Sequence, residues 1–188
     1  MSVIYPANQT WLQTTLDKPM MDYLWSQIES AKGNSKPELV GHITKSAYLP
    51  DEENRLANLV RQEAKQIGYI PPKKFSSTRS IWVNWQKKHE FNPLHAHSGS
   101  ISFVIWMKIP YRHEDEKKRK QAHVNELTLS GCFEFVYIST MGEISKYIYT
   151  LGPECEGTLL VFPAALHHQV YPFYTSDQDR ISISGNLE

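Results

Sequence analysis

From Ser76 onward the chain is a succession of short β-like segments separated by turn residues, and this pattern restricts the fold more than any other feature of the sequence. The segments are rich in β-branched and aromatic residues, which favour strands. They are predicted at residues 78–86, 100–109, 131–138, 144–149, 157–161, 169–172 and 180–184. Because no long helical pattern separates them, the sequence indicates a mainly β domain of the sandwich or jelly-roll type.

The N-terminal part of the chain is helical in character. After a lead-in at residues 1–15, Asp17 offers an N-cap acceptor with a proline in the following turn, and a helix is predicted from there to a C-cap at Gly33. A second helix is predicted from about Asp51 to Gly68, with acidic residues near the positive end of its dipole. Between the helices, residues 35–48 are expected to contain a short strand. Both helices are predicted to pack on one face of a sheet.

We expect one domain over residues 1–188, with 1–75 as a helical support and 76–188 as the jelly-roll core. A chain of this length buries about 70% of its unfolded surface, which is sufficient for a sizeable core. A charged insertion at residues 111–126 interrupts the core. It is predicted to be a solvated loop or short surface helix, and a lid over a pocket is the alternative.

Composition excludes several classes of partner. The 20 basic and 20 acidic residues balance, so no net field attracts nucleic acid. No apolar run approaches the roughly 20 residues of a membrane span, and the N-terminus lacks the pattern of a secretory leader. The two cysteines, Cys132 and Cys155, are expected to be reduced thiols. We therefore expect a cytoplasmic protein; its oligomeric state stays open, with a homodimer as one option.

Two histidine pairs suggest a metal site. His95 and His97 are two residues apart before an apolar strand, and residues with that spacing on a strand point to the same face. His167 and His168 precede another predicted strand, and His168 shares a face with Val170. A jelly roll can bring both stretches to one pocket. The pattern therefore predicts that His95, His97 and His168 bind one metal ion.

Three motifs carry a resemblance to a known family. They are H-x-H-x-G-x-x-S from His95, F-P-x-x-L-x-H-x-V-x-P from Phe162, and R-x-S-x-S-G-N from Arg180. In order and spacing they resemble the small 2-oxoglutarate/Fe(II)-dependent oxygenases found in phage and marine bacterial sequences. The match covers about the C-terminal three-fifths of the chain.

The resemblance implies a double-stranded β-helix, the cupin-like form of the jelly roll, and a site for Fe(II) and 2-oxoglutarate with O2 as cosubstrate. It implies iron ligands at His95, His97 and His168, and a 2-oxoglutarate carboxylate bound by Arg180 and Ser182. A guanidinium has the planar geometry for this bidentate contact. Residues near the motifs are expected to line the pocket, namely Trp82, Asn84, Ser102, Tyr149 and Asn186.

The usual oxygenase triad contains a carboxylate, and His97 occupies its position here. A three-histidine site is the direct interpretation. Glu90 as the missing carboxylate is one alternative; His97 as the first ligand, with Gly99 opposite and a position left for water or halide, is another. For Arg180, the alternative is a surface residue paired with Asp177 or Asp179.

The favoured hypothesis is an Fe(II)- and 2-oxoglutarate-dependent dioxygenase that hydroxylates an unidentified small-molecule or peptidyl substrate. A cupin-like three-histidine enzyme would bind its substrate on the metal and need no 2-oxoglutarate. A non-enzymatic jelly-roll binding module, with structural histidines, is the third hypothesis.

Overall fold

The computed structural model of the protein describes residues 9–35, 40–68, 81–119 and 128–187, and within them ten strands form two antiparallel sheets. The strands are β1 Leu12–Thr15, β2 Lys45–Tyr48, β3 Ile81–Gln86, β4 Asn92–His95, β5 Ile101–Lys108, β6 Phe133–Ile138, β7 Ile144–Tyr149, β8 Thr158–Pro163, β9 His167–Val170 and β10 Arg180–Leu187. One sheet has the order β1-β8-β5-β10-β3-β2 and the other β4-β9-β6-β7. This arrangement confirms the predicted mainly β jelly roll.

The strand β5 lies at the centre of the fold. Its first seven residues are buried, because both faces of the six-stranded sheet are covered at this strand. Ile105 and Met107 pack with the helices, whereas Val104 and Trp106 pack against the four-stranded sheet. Burial of both faces explains the continuous apolar run that the sequence shows here.

The first helix, α1 Lys18–Glu29, begins where it was predicted. The Asp17 carboxylate accepts a hydrogen bond of 2.9 Å from the amide of Met20, and Leu24 and Ile28 are buried against the sheet. The helix ends at Glu29, before the predicted C-cap at Gly33. Gly33 instead follows a short bridge between Lys32 and Tyr48 and adopts a positive φ of 78°.

The second helix, α2 Arg55–Ala64, begins later than predicted. Asp51 and Asn54 both have positive φ, so the chain turns before the helix begins. The Asp51 carboxylate nevertheless caps the helix, because it accepts hydrogen bonds from the amides of Leu56 (3.1 Å) and Ala57 (3.0 Å). The predicted helix packing on one sheet face is confirmed, since α2 joins the same apolar cluster as α1.

N-terminal segments complete the six-stranded sheet at both edges. The predicted lead-in contains β1, which pairs with β8 along its whole length. The predicted short strand in residues 35–48 is β2, which pairs with β3. The strand β4 was not predicted. Of the seven predicted core strands, β7 matches at both ends and β3 matches at its C-terminal end. The other five differ by one to three residues at one or both ends.

Parts of several predictions lie outside the described residues. They are residues 1–8 of the lead-in, 36–39 of the segment with the short strand, 69–75 of the helical support, 78–80 of the first core strand and 120–126 of the insertion. The described part of the insertion contains α3 His113–Lys117. None of the helices among the described residues has the length and hydropathy of a membrane-crossing segment.

Candidate metal centre

Three histidines come together at the end of the four-stranded sheet. His95 ends β4 and lies opposite His168 of β9 in the strand register. His97 lies in the loop before β5, where its backbone amide donates to the carbonyl of Ala164 at 2.9 Å. One ligand nitrogen from each ring lies within 4.8 Å of the others. His95 and His97 were expected to face the same side of one extended stretch before β5; instead His95 ends β4 and His97 lies in the loop between β4 and β5.

Backbone carbonyls fix the orientation of two of these rings. His95 Nδ1 is 2.7 Å from the carbonyl of Pro93, and His168 Nδ1 is 2.9 Å from that of Leu166. A carbonyl can only accept, so Nδ1 carries the proton in each ring. The Nε2 lone pair is then free to bind a metal. Metal-binding histidines commonly donate their other ring N–H to a backbone carbonyl in this way.

Burial keeps the three imidazoles neutral. Desolvation, with a smaller contribution from His95, lowers the pKa of His97 to about 4. Desolvation followed by repulsion from His95 lowers the pKa of His168 to about 3. The pKa of His95 is also lowered, mainly by desolvation. Neutral imidazoles have the free lone pairs that metal binding requires.

Of the pair His167 and His168, the structure brings the predicted ligand, His168, to the cluster. His168 is buried with its ring 4.3 Å from that of His95, whereas His167 is exposed on the other face of β9. No carboxylate among the described residues joins the cluster. Glu90, the alternative ligand, accepts hydrogen bonds from the amides of Thr44 (3.1 Å) and Lys87 (2.9 Å). Three neutral imidazoles fit a divalent first-row metal ion.

A buried arginine lies at the other end of the same cavity. Arg180 is 2% exposed, and its guanidinium donates to Tyr111 Oη at 2.6 Å and to Gln86 Oε1 at 2.5 Å. The predicted surface alternative is wrong, since Asp177 pairs with Lys88 instead. Among the described residues, no carboxylate pairs with Arg180. The hydrogen bonds that its terminal nitrogens donate within the described residues all go to neutral oxygens, so no negative charge balances the buried guanidinium, and the cavity favours an anion at this end.

The comparisons with known proteins decide the family. A family model described as "Putative 2OG-Fe(II) oxygenase" matches residues 80–186, more than half of the chain. This chain belongs to that family of 2-oxoglutarate/Fe(II) oxygenases. The resemblance stated from the three motifs is thereby confirmed, and with it the cofactors: Fe(II) and 2-oxoglutarate, with O2 as cosubstrate.

A structural comparison agrees with this assignment. The crystal structure of a Pseudomonas putida prolyl-4-hydroxylase matches with a TM-score of 0.58 and 13% sequence identity, covering 96% of this chain and 92% of that one. At such low identity the match establishes a shared fold only. No curated protein matches the sequence significantly.

Arg180 is supported by a residue that was predicted to belong to the charged insertion. Tyr111 is buried, its ring stacks on Phe173 at 4.7 Å, and its hydroxyl donates to the carbonyl of Gly131 at 2.6 Å. Burial raises the pKa of Tyr111, so the hydroxyl stays protonated and can donate to the carbonyl while accepting from Arg180. The only sequence signal was its position directly after the Ile109-Pro110 end of an apolar strand.

The described part of the insertion is also less solvated than predicted. Ion pairs of Lys117 and Lys118 lie at the surface of α3, as a surface helix requires. Glu116, however, is fully buried and accepts hydrogen bonds from the amides of Tyr174 (3.0 Å) and Thr175 (2.8 Å). The helix is therefore fixed to the loop that leads to Arg180.

Four of the five expected lining residues border the cavity: Trp82, Asn84, Ser102 and Asn186. Ser182 also lines it. Tyr149 does not. It lies on β7, an edge strand two positions from β9, and its hydroxyl accepts a 2.8 Å hydrogen bond from Trp11.

Two cross-strand serine–asparagine pairs shape the wall that the six-stranded sheet contributes. Ser46 of β2 donates to Asn84 Oδ1 at 2.8 Å, and Ser102 of β5 donates to Asn186 Oδ1 at 2.8 Å. In each pair the two residues are direct neighbours in the strand register. Each serine fixes the asparagine carbonyl, which leaves the amide nitrogen to a ligand.

Proposed function

We propose that the protein is an Fe(II)- and 2-oxoglutarate-dependent dioxygenase that hydroxylates a C–H bond of its substrate. In this proposal His95, His97 and His168 bind the iron, and Arg180 with Ser182 binds the distal carboxylate of 2-oxoglutarate. One observation carries it: a single cavity has three neutral, convergent imidazoles at one end and, at the other, a buried arginine that no carboxylate of the described residues pairs with.

The spacing of the cavity wall supports this placement. Inward residues of β10 and β3 form three successive levels: Arg180 with Gln86, Ser182 with Asn84, and Ser184 with Trp82. The third level is the metal end, because the Trp82 ring lies 6.2 Å from that of His97. Two residues along a strand advance by about 6.6 Å, a step comparable to the separation of the carboxylates in a five-carbon diacid. A distal carboxylate shared by Arg180 and Ser182 would lie between the first two levels, and a diacid held there would extend towards the third level and the histidines.

The iron, Arg180 and the apolar wall of the cavity have different roles in this reaction. Bound Fe(II), with 2-oxoglutarate and O2, supplies the oxidant that inserts oxygen into a C–H bond while 2-oxoglutarate becomes succinate and CO2. Arg180 binds and orients the cosubstrate through a charge-assisted contact. Phe133, Phe162 and Val104 contribute apolar wall around the metal end and limit the entry of water.

The test is an anaerobic titration of metal-free protein with Fe(II) and then 2-oxoglutarate. We expect the weak visible charge-transfer band of a 2-oxo acid chelated to iron, and we expect Arg180→Met to weaken it at fixed 2-oxoglutarate. Arg112→Met is the matched control, because Arg112 is exposed and its nearest ion-pair contact is 4.0 Å away.

Other results would contradict the proposal. Iron binding without the band would favour the cupin-like three-histidine enzyme. Failure to bind iron would favour the non-enzymatic module. Full iron binding by His168→Ala would refute the ligand assignment.

A further inference from the structure

Two buried polar atoms that have no hydrogen-bond partner among the described residues lie on residues that line the cavity. They are the indole Nε1–H of Trp82 and the amide Oδ1 of Asn92. Most buried polar atoms in folded proteins are hydrogen-bonded, and leaving one unpaired is unfavourable by about 1–3 kcal/mol. An unpaired donor and an unpaired acceptor in one cavity therefore indicate a ligand that satisfies both.

Trp82 is the donor. It lies on β3 at the third level of the wall, is 5% exposed, and meets the ring of His97 edge-on at 61°. Trp82 lies next to a proposed iron ligand and two levels away from Arg180. Its N–H is therefore placed to contact the prime substrate and not the distal carboxylate of 2-oxoglutarate. Its N–H requires an oxygen acceptor.

Asn92 is the acceptor. It lies on β4 opposite Val170 and lines the cavity together with Val40 and Ile43. A Cβ at Gly41 would lie 1.8 Å from Asn92 Oδ1, so only glycine leaves room for this side chain. The close approach brings no hydrogen bond to Oδ1, which still requires a donor.

The surroundings of these two atoms are neutral. Among the described residues that line the cavity, Arg180 is the single one with a permanent charge, and none is Asp, Glu or Lys. Val40 and Ile43 add apolar surface on the side of Asn92. Such a wall offers an ammonium group no counter-ion. It suits a neutral group with one acceptor and one donor on an apolar body.

We propose that the prime substrate presents a neutral amide, a peptide bond or carboxamide, to this part of the cavity. Its carbonyl oxygen accepts from Trp82 Nε1–H and its N–H donates to Asn92 Oδ1. This inference rests on the proposed function for the meaning of "prime substrate", but its test does not depend on iron or on turnover.

The test follows the indole N–H resonances of 15N-labelled protein loaded with Zn(II) and 2-oxoglutarate. The protein has five tryptophans and therefore five indole N–H groups, and Trp82→Phe identifies the signal of interest by its loss. The probe is N-methylacetamide, compared with methyl acetate, acetate and methylammonium. Trp11 is an internal reference, because its indole already donates to Tyr149 Oη at 2.8 Å.

We expect N-methylacetamide to move the Trp82 signal downfield in a saturable manner while the Trp11 signal stays in place. Methyl acetate, which lacks the donor, should bind about tenfold more weakly, as should N-methylacetamide with Asn92→Leu. The inference is overturned if N-methylacetamide produces no shift, as a fixed water on both atoms would predict, or if acetate or methylammonium binds more tightly. It is also overturned if Asn92→Leu leaves the affinity unchanged. These outcomes do not affect the charge-transfer test, so failure of this inference and failure of the proposed function can be distinguished.

Discussion

Tyr111→Phe tests directly whether the Tyr111 hydroxyl orients Arg180 for its proposed contact with the 2-oxoglutarate carboxylate. It removes one hydroxyl, which accepts from Arg180 at 2.6 Å and donates to Gly131 at 2.6 Å, while the ring stack on Phe173 is retained. A buried hydrogen bond to a charged group contributes about 1.5–3 kcal/mol and a neutral one about 0.5–1.5 kcal/mol. We therefore expect the free energy of unfolding to fall by roughly 2–4 kcal/mol, which corresponds to a decrease in Tm of about 4–16 °C for a chain of this size.

The substitution should also weaken cosubstrate binding. With the hydroxyl absent, one guanidinium nitrogen of Arg180 keeps only the Gly131 carbonyl at 3.2 Å, and its orientation towards the cavity is less restricted. We expect the dissociation constant for 2-oxoglutarate to rise about tenfold, the equivalent of one such hydrogen bond. Calorimetric titration of the Zn(II)-loaded protein measures this constant, and urea unfolding measures the stability.

Tyr149→Phe is the matched control, because Tyr149 loses a hydrogen bond of similar length to Trp11 outside the cavity. It should lower stability by about 1 kcal/mol and leave 2-oxoglutarate affinity unchanged. The reasoning is refuted if Tyr111→Phe matches the wild type in both measurements, or if both variants weaken 2-oxoglutarate equally.

Three further predictions concern other parts of the chain. His168→Ala should abolish the thermal stabilisation by Mn(II), which for the wild type amounts to about 2.7 kcal/mol at a hundredfold excess over the dissociation constant; an undiminished shift would remove His168 from the metal site. Glu116→Gln should destabilise the protein by about 2–4 kcal/mol in urea, because a carboxylate that accepts from two backbone amides becomes neutral; a loss below 0.5 kcal/mol, on the order of a surface substitution, would contradict its anchoring role. Burial raises the pKa of Cys132 to about 12, so its thiol stays protonated at pH 8 and should react with a thiol reagent far more slowly than the partly exposed Cys155; equal rates in the folded protein would count against this.

The sequence predicted those elements whose signal is local. The strand β5 was visible as an apolar run, and the choice of His168 over His167 followed from the two-residue repeat of a strand. The start of α1 was visible because Asp17 caps the helix from the adjacent position. In each case the residues that determine the structure are neighbours in the chain.

The features that the sequence did not predict depend on distant partners. The strand β4 is four residues long and contains Pro93, which a central strand would not tolerate but an edge strand does. Tyr111 and Glu116 lie in a charged segment, and their burial follows from contacts with residues 58 to 69 positions later in the chain. The burial of Arg180 has the same origin, and no local pattern reports it.

The placement of β1 and β2 has a consequence for anyone who trims or recombines this gene. The family model begins at residue 80, yet both border strands of the larger sheet are encoded before it. A shortened protein starting there would expose the unpaired hydrogen-bonding edges of β8 and β3, and exposed strand edges promote aggregation. It would also lack Ser46, the partner of Asn84. Exchange of N-terminal segments between homologous genes should therefore preserve both border strands together.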